Sequence, residues 1–132
     1  MEKNIVQIGW CDNYCAASDE ILGCVACSDT IEGIKKEYRS ALDFHIKGML
    51  EDGDELPEKL KNEYELVFEL DTSAMLHSLD GIVTRKAIAK VTGINEALLT
   101  HYANGFRKPR PVQRQRIIDG IHQIGRELTL IG

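Results

Sequence analysis

The four cysteines are the first residues whose spacing could support chemistry. Cys11 and Cys15 are separated by three residues, and Cys24 and Cys27 by two, which superficially supplies four thiolates for a zinc ion. We expect no zinc site, because Cys15 and Cys24 fall in predicted strands, where neighbouring side chains alternate between faces. We also expect no redox site at Cys24 and Cys27, since the predicted helix begins too late to lower a thiol pKa there. The pattern therefore predicts buried free thiols, with no metal and no cofactor.

Carboxylates offer a second possible chemistry. A nuclease of the ribonuclease H type needs converging carboxylates for metal ions, one of them within the first strand, and the strand predicted over residues 5–10 has none. The acidic residues instead follow a predicted helix and its loops: Glu32, Glu37, Asp43, Glu51, Asp52, Asp54, Glu55 and Glu58. We therefore expect no enzyme, and these carboxylates are either simply solvated or complementary to a basic protein partner.

Residues 84–105 combine polar side chains with the start and stop signals of two short helices. Thr84 can cap the first helix, Ala89 is small where two helices would cross, and Gly93 permits a left-handed turn. Four apolar residues are expected to fill the shared core: Ile88, Ile94, Leu99 and Tyr102. The segment resembles a helix-turn-helix, the DNA-binding motif whose second helix enters the major groove.

In that motif the recognition helix would run over residues 95–104. Its amide, hydroxyl and imidazole groups can reach base edges, and the cations that follow on a proline-stiffened loop suit phosphates. Glu96 is discordant, because the lambda-repressor-like group often carries Gln near this position and a carboxylate repels phosphate. The candidate DNA-binding residues are Thr84, Arg85, Lys86, Asn95, Glu96, Thr100, His101, Asn104, Arg107, Lys108 and Arg110. Arg114 and Arg116 are expected to extend this cationic rim.

The elements around these residues divide the chain into two predicted modules. Residues 5–10, 14–17 and 23–27 are rich in β-formers and predict a three-stranded meander. Apolar residues at spacings of three and four, from Ile31 to Leu50, then predict a long helix capped by Asp29 or Thr30 and ended by Gly53. Residues 64–70 alternate as a half-buried strand. The first module, residues 1–70, is therefore β-β-β-α-β.

Beyond Asp71 the sequence predicts a small all-α module over residues 71–132. Its last helix is expected over residues 112–124, with Gly125 at its end. The apolar tail at residues 128–131 is then predicted to pair as a strand with a partner subunit. The fold class is α+β overall.

Four sequence blocks in the first module resemble an antitoxin of the HicB family. They are GCVA at 23–26, DTIE at 29–32, HIKGM at 45–49 and DGDELP at 52–57. The resemblance implies a degenerate ribonuclease-H-like domain joined to a C-terminal DNA-binding domain. It also implies a protein that masks a small HicA-type mRNA-cleaving toxin and represses its own operon.

The charge distribution agrees with two different partners. Residues 1–70 carry 7 Lys and Arg against 16 Asp and Glu, a net charge of −9, whereas residues 71–132 carry 9 against 5, a net charge of +4. No segment is long and apolar enough to span a membrane, and no signal peptide is recognised, so we expect a cytoplasmic protein. We thus expect a non-enzymatic antitoxin and autorepressor that binds a toxin and an inverted-repeat operator as a homodimer or higher oligomer. The alternative is a helix-turn-helix regulator whose N-terminal domain senses a small ligand.

Overall fold

Three consecutive strands open the chain in the computed structural model, which describes residues 1–132. They are β1 (Glu2–Trp10), β2 (Tyr14–Ser18) and β3 (Ile21–Ser28). β1 pairs antiparallel with β2, and β2 with β3, so the predicted meander is confirmed. The turn between β1 and β2 places Asp12 at a φ of 62°, a left-handed conformation that Asp tolerates better than most residues.

A single long helix, α1 (Ile31–Glu51), follows the meander. Its N-cap is Thr30, whose hydroxyl accepts a 2.9 Å hydrogen bond from the backbone of Gly33. The apolar stripe buries Ile34, Tyr38 and Leu42 against the sheet, as the spacing predicts. Leu50, at the end of that predicted stripe, is instead 60% exposed.

A short 3-10 turn (Glu58–Leu60) leads to β4 (Tyr64–Leu70), whose bounds match the predicted strand. β4 pairs parallel with β1, giving the strand order β3-β2-β1-β4. A parallel neighbour requires a crossover connection, and α1 supplies it. The first unit, Met1–Asp71, is therefore a four-stranded mixed sheet with one crossover helix.

The alternation along the strands assigns their side chains to two faces. Val6, Ile8 and Ala16 are buried on the face that α1 covers. The intervening residues lie on the opposite face, which we call the open face: Ile5, Gln7, Gly9, Cys15, Ala17, Val25 and Cys27.

The second unit, Thr72–Gly132, is all-helical. It contains α2 (Thr72–Ser78), α3 (Arg85–Thr92), α4 (Glu96–Ala103) and α5 (Pro111–Thr129). Its core consists of Leu76, Ile88, Ile94, Leu99, Tyr102, Ala103 and Ile117, which includes the four predicted core residues. The chain is thus mixed α+β, and none of its helices combines the length and the apolar character needed to cross a membrane.

The structure predicted for the C-terminal segment is wrong. α5 continues through Gly125 to Thr129, and Leu130 and Ile131 form a turn, so residues 128–131 are not a strand. Glycine weakens a helix without ending it, and the hydroxyl of Thr129 bonds back to the carbonyl of Gly125 at 3.0 Å. Leu128, Leu130 and Ile131 remain exposed.

Candidate nucleic-acid interface

A three-residue turn joins α3 to α4. Gly93 adopts a φ of 74° and donates its N–H to the carbonyl of Ala89 at 2.9 Å, so the left-handed turn expected at this position is confirmed. The hydroxyl of Thr92 donates to the carbonyl of Ile88 at 2.7 Å and accepts from the N–H of Ile94 at 3.2 Å. These bonds fix the path of the chain between the two helices.

Both helices begin at a capping side chain. The Thr84 hydroxyl accepts a 3.0 Å hydrogen bond from the N–H of Ala87, which confirms the predicted cap. The Asn95 side-chain oxygen accepts a 2.8 Å bond from the N–H of Ala97. Asn95 therefore caps α4 with its carbonyl oxygen, and its two amide hydrogens remain available to a ligand.

The exposed side of α4 is a narrow stripe. Leu99, Tyr102 and Ala103 are buried, and the residues opposite them are exposed at helical spacing. We call the residues Ala97, His101 and Asn104 the α4 stripe. Thr100 is half-buried beside it and Glu96 is exposed in the first turn, where a carboxylate complements the helix dipole.

Ala97 was not among the candidates chosen from the sequence. Only polar side chains were selected there, although the spacing of Leu99 and Tyr102 already places residue 97 on the opposite side of the helix. A second overlooked residue is Phe106, which is 75% exposed and packs edge-on against His101 with 6.0 Å between ring centroids. In the sequence, Phe106 directly precedes the cations Arg107 and Lys108, and this position is the signal that could have identified it.

Three cations lie on the segment that connects α4 to α5. Arg107, Lys108 and Arg110 are exposed, and no carboxylate lies within ion-pair distance of them. We call these three residues the cationic loop. Pro111 opens α5 directly after it, where its fixed φ suits the first helical position. Lys86, in the first turn of α3, is likewise exposed without an ion pair.

Three other arginines make contacts within the helical unit. Arg116 donates to the carbonyl of Thr92 at 2.7 Å, and Arg114 donates to the hydroxyl of Thr72 at 2.8 Å. These two arginines therefore support the helix packing. Arg85 lies 3.7 Å from a carboxylate oxygen of Asp80 and keeps only 23% of its side chain exposed.

Four of the predicted residues line one shallow cavity of about 580 Å³ at the starts of α3 and α4, and the others lie outside it. The four are Thr84, Arg85, Glu96 and Thr100. Asp80 also lines the cavity, so the carboxylates of Asp80 and Glu96 offset the charge of the single arginine, Arg85. The cationic loop consequently carries more unpaired positive charge than this cavity does.

The acidic residues singled out in the first unit are all exposed. Lys61 binds Glu55 at 2.7 Å and Glu58 at 3.3 Å, and its hydrogen bond holds the pKa of Glu55 below the ordinary value. The remaining six have no ion pair: Glu32, Glu37, Asp43, Glu51, Asp52 and Asp54. α1 also carries four exposed basic residues, Lys35, Lys36, Arg39 and Lys47, which balance its four carboxylates, so the excess negative charge lies on the segment that follows the helix.

The cysteines differ from the expectation of buried thiols. Only Cys24 is buried, while Cys15 is half-buried and Cys11 and Cys27 are exposed. Cys15 lies directly opposite Cys27 in the β2–β3 pair. The hydrogen bond with Cys27, then burial, then negative charge on Cys27 and Cys11 raise the pKa of Cys15 to about 11. No three His, Cys, Asp or Glu side chains form a group that could hold a metal ion.

Comparisons with known proteins add one relative. No protein-family model matches the chain. The chain is 27% identical over 108 residues to an uncharacterized 14.9 kDa protein in the rep-hol intergenic region of Haemophilus phage HP1, and the match covers 80% of each chain. Because the first unit has 71 residues, a match of this length extends over parts of both units.

Proposed function

We propose that the chain is a non-enzymatic, cytoplasmic antitoxin of the HicB type that represses its own operon. Its helical unit binds operator DNA as a lambda-repressor-like helix-turn-helix, and its sheet unit, a partial ribonuclease-H-like fold, masks a HicA-type mRNA-cleaving toxin. The observation that carries the proposal is the cationic loop, unpaired and exposed, directly after the α4 stripe.

The α4 stripe has the chemistry of a major-groove reader. His101 and Asn104 offer a ring nitrogen and an amide to base edges, and the Ala97 methyl group suits the methyl group of thymine. Thr100 and the free amide hydrogens of Asn95 lie beside them. Glu96 can only accept hydrogen bonds, from the amino group of cytosine or of adenine, so it restricts the preferred sequence.

The cations position the helix without reading sequence. Arg107, Lys108 and Arg110 bind phosphates of the DNA backbone, and Lys86 binds phosphate at the start of α3. Thr84 fixes the first turn of α3, whose free N–H groups also favour an anion. Arg85 contributes less, because Asp80 already binds it.

Tight binding needs two copies of the chain. One short recognition helix touches only a few base pairs, so a homodimer or higher oligomer binds an inverted repeat in the promoter, with half-sites about 34 Å or a multiple apart. Strand pairing of residues 128–131 does not form this dimer, since α5 includes that segment up to Thr129.

The sheet unit is suited to a basic protein. The four carboxylates on α1 are balanced by four basic residues of the same helix, whereas Asp52, Asp54, Glu55 and Glu58 follow it as an exposed acidic segment, within a region of net charge −9. An RNA-binding toxin is basic, so the charges are complementary and accelerate association. Catalysis is not part of the proposal, because β1 carries a single carboxylate, Glu2, at its exposed start.

One observation favours the alternative of a ligand-sensing regulator. A groove of about 510 Å³ lies between β3 and α1, and Phe44, His45 and Met49 line it. Its volume falls in the range of small-molecule sites. The two proposals share the DNA-binding unit and differ in what the first unit binds.

Co-expression of the full chain with any small basic protein encoded beside it separates them. The antitoxin proposal predicts a complex that survives purification and in which RNA cleavage by the partner is blocked. The charge-reversed variant Asp52→Lys/Asp54→Lys should weaken the complex, while Glu2→Lys/Glu63→Lys, an equal charge change at two exposed positions at the start of β1 and just before β4, serves as the matched control. A partner that neither binds nor loses its activity would leave the ligand-sensing regulator as the better account.

A further inference from the structure

Cys15 and Cys27 are direct partners across the antiparallel β2–β3 pair. Partners in such a pair have Cα atoms about 4.5–5.5 Å apart. Disulfide-bonded cysteines have Cα separations of about 4.4–6.8 Å. The Cα separation across this strand pair therefore suits a disulfide between Cys15 and Cys27.

Both thiols are accessible from the open face. Cys27 is exposed and Cys15 is half-buried. A depression of about 270 Å³ beside them is lined by small residues, Gly9, Ala17 and Ala26 among them, which leave room for a reagent. Cys24 does not share this access, because it is buried on the face that α1 covers.

We propose that Cys15 and Cys27 form a thiol–disulfide exchange site that accepts small, uncharged or cationic disulfides. Asp19 and Asp71 line the same depression, and their negative charge disfavours anionic reagents. The site lies in the first unit and is independent of the proposed DNA and toxin binding.

The exchange proceeds in two balanced steps. The Cys27 thiolate attacks one sulfur of the small disulfide, forms a mixed disulfide and releases one small thiolate. Cys15 then loses its proton to solvent and attacks the Cys27 sulfur, which releases the second small thiolate and closes the Cys15–Cys27 bond. The protein loses two hydrogens, and the small disulfide is reduced to two thiols.

The order of the steps follows from the geometry and charge around the pair. Cys27 is the more exposed thiol, and the hydrogen bond that the Cys15 thiol makes to Cys27, together with burial, raises the pKa of Cys15. Cys11 is a third, exposed thiol whose charge also acts on Cys15. It is not a strand partner of either residue, so the register selects Cys27.

The experiment treats the reduced full chain with excess bis(2-hydroxyethyl) disulfide and follows intact mass, free thiols and the cross-linked peptides. We expect one cross-link between Cys15 and Cys27 with no adduct on either residue, and a retained mixed disulfide on the exposed Cys11. Cys11→Ser should form the same cross-link without any adduct, whereas Cys15→Ser should stop at a mixed disulfide on Cys27 beside the one on Cys11. In the chain unfolded in urea, the cross-links Cys11–Cys15 and Cys24–Cys27 should form instead. They close the shortest loops, and the entropy of loop closure determines which pairs form when no strand register is present.

Three outcomes would overturn the proposal. One is a folded chain that keeps all its thiols under conditions in which the unfolded chain reacts. The second is a native cross-link that involves Cys11, and the third is stable adducts on Cys11 and Cys27 without any cross-link.

Discussion

The guanidinium of Arg116 in α5 donates a 2.7 Å hydrogen bond to the carbonyl of Thr92, the last residue of α3. Carbonyls at a helix C-terminus have no partner within the helix, and a cation there also complements the helix dipole. A second nitrogen of Arg116 donates to Gln113 at 3.0 Å. α5 therefore holds the end of α3, and with it the turn that leads to α4.

Arg116→Ala should destabilise the helical unit without changing DNA binding once the chain is folded. We expect a loss of about 1 kcal/mol in the free energy of unfolding, since the bond is charge-assisted but exposed to solvent. Urea denaturation measures the loss. Arg110→Ala is the matched control, because its side chain makes no cap bond and its removal should leave the urea midpoint unchanged.

Gly120→Ala should destabilise the chain although alanine is the better helix former. A Cβ at Gly120 overlaps the Cγ2 of Thr92, whose hydroxyl is already bonded on both sides and resists rotation. We expect a cost of about 1–3 kcal/mol, as for other overpacked sites. Gly125→Ala in the same helix meets nothing within 4 Å and should stabilise by about 0.5–1 kcal/mol. Similar melting temperatures for the two variants would contradict this packing.

Asn95 permits its capping role to be separated from base reading. Asn95→Ala should lose about 1 kcal/mol of stability with the cap. Asn95→Asp keeps the accepting oxygen but removes the amide hydrogens, so its stability should match that of the original chain. If the amide reads a base, operator affinity falls in the Asp variant while its melting temperature does not. Unchanged operator affinity would restrict Asn95 to capping.

Tyr38 should make the chain sensitive to alkali. Burial, and then the neighbouring Cys24 thiol, raise the pKa of the phenol above its ordinary value, and the hydroxyl has no oxygen or nitrogen partner. The contribution of Tyr38 to the free energy of unfolding is complete below about pH 10, where the tyrosine of the unfolded chain is also protonated. At higher pH only the unfolded chain releases the proton, so stability falls as pH rises. In urea titrations, Tyr38→Phe should reduce this decline, whereas parallel declines would rule out Tyr38 as its source.

Local patterns predicted much of the fold because each one depends on neighbours in sequence. The alternation from Tyr64 to Leu70 gives β4 its bounds, and the left-handed Gly93 follows from glycine between two amphipathic segments. The end of α5 was missed, since Gly125 is a stop signal only when nothing beyond it stabilises the helix. There, Gln123 bonds to Glu127 across one turn at 3.4 Å.

The candidate site depends more on tertiary contacts. The sequence shows nine cations after residue 71 but not which of them bind within the fold, as Arg114 and Arg116 do. The pairing of Cys15 with Cys27 could not be predicted from the sequence either. It depends on the register of β2 and β3, which shifts at Ala17 and Ser18, and alternation alone does not fix that register.

The most direct test of DNA reading by the α4 stripe is the salt-dependent affinity of the full chain for its own promoter and for a random duplex, measured by fluorescence anisotropy. We expect at least a roughly thousandfold preference for the promoter. Arg107→Ala/Lys108→Ala should weaken binding to both duplexes and lower the salt slope by about 2. His101→Ala should lose about 1–3 kcal/mol on the promoter alone. Equal affinity for the two duplexes, or equal losses on both for His101→Ala, would contradict the account.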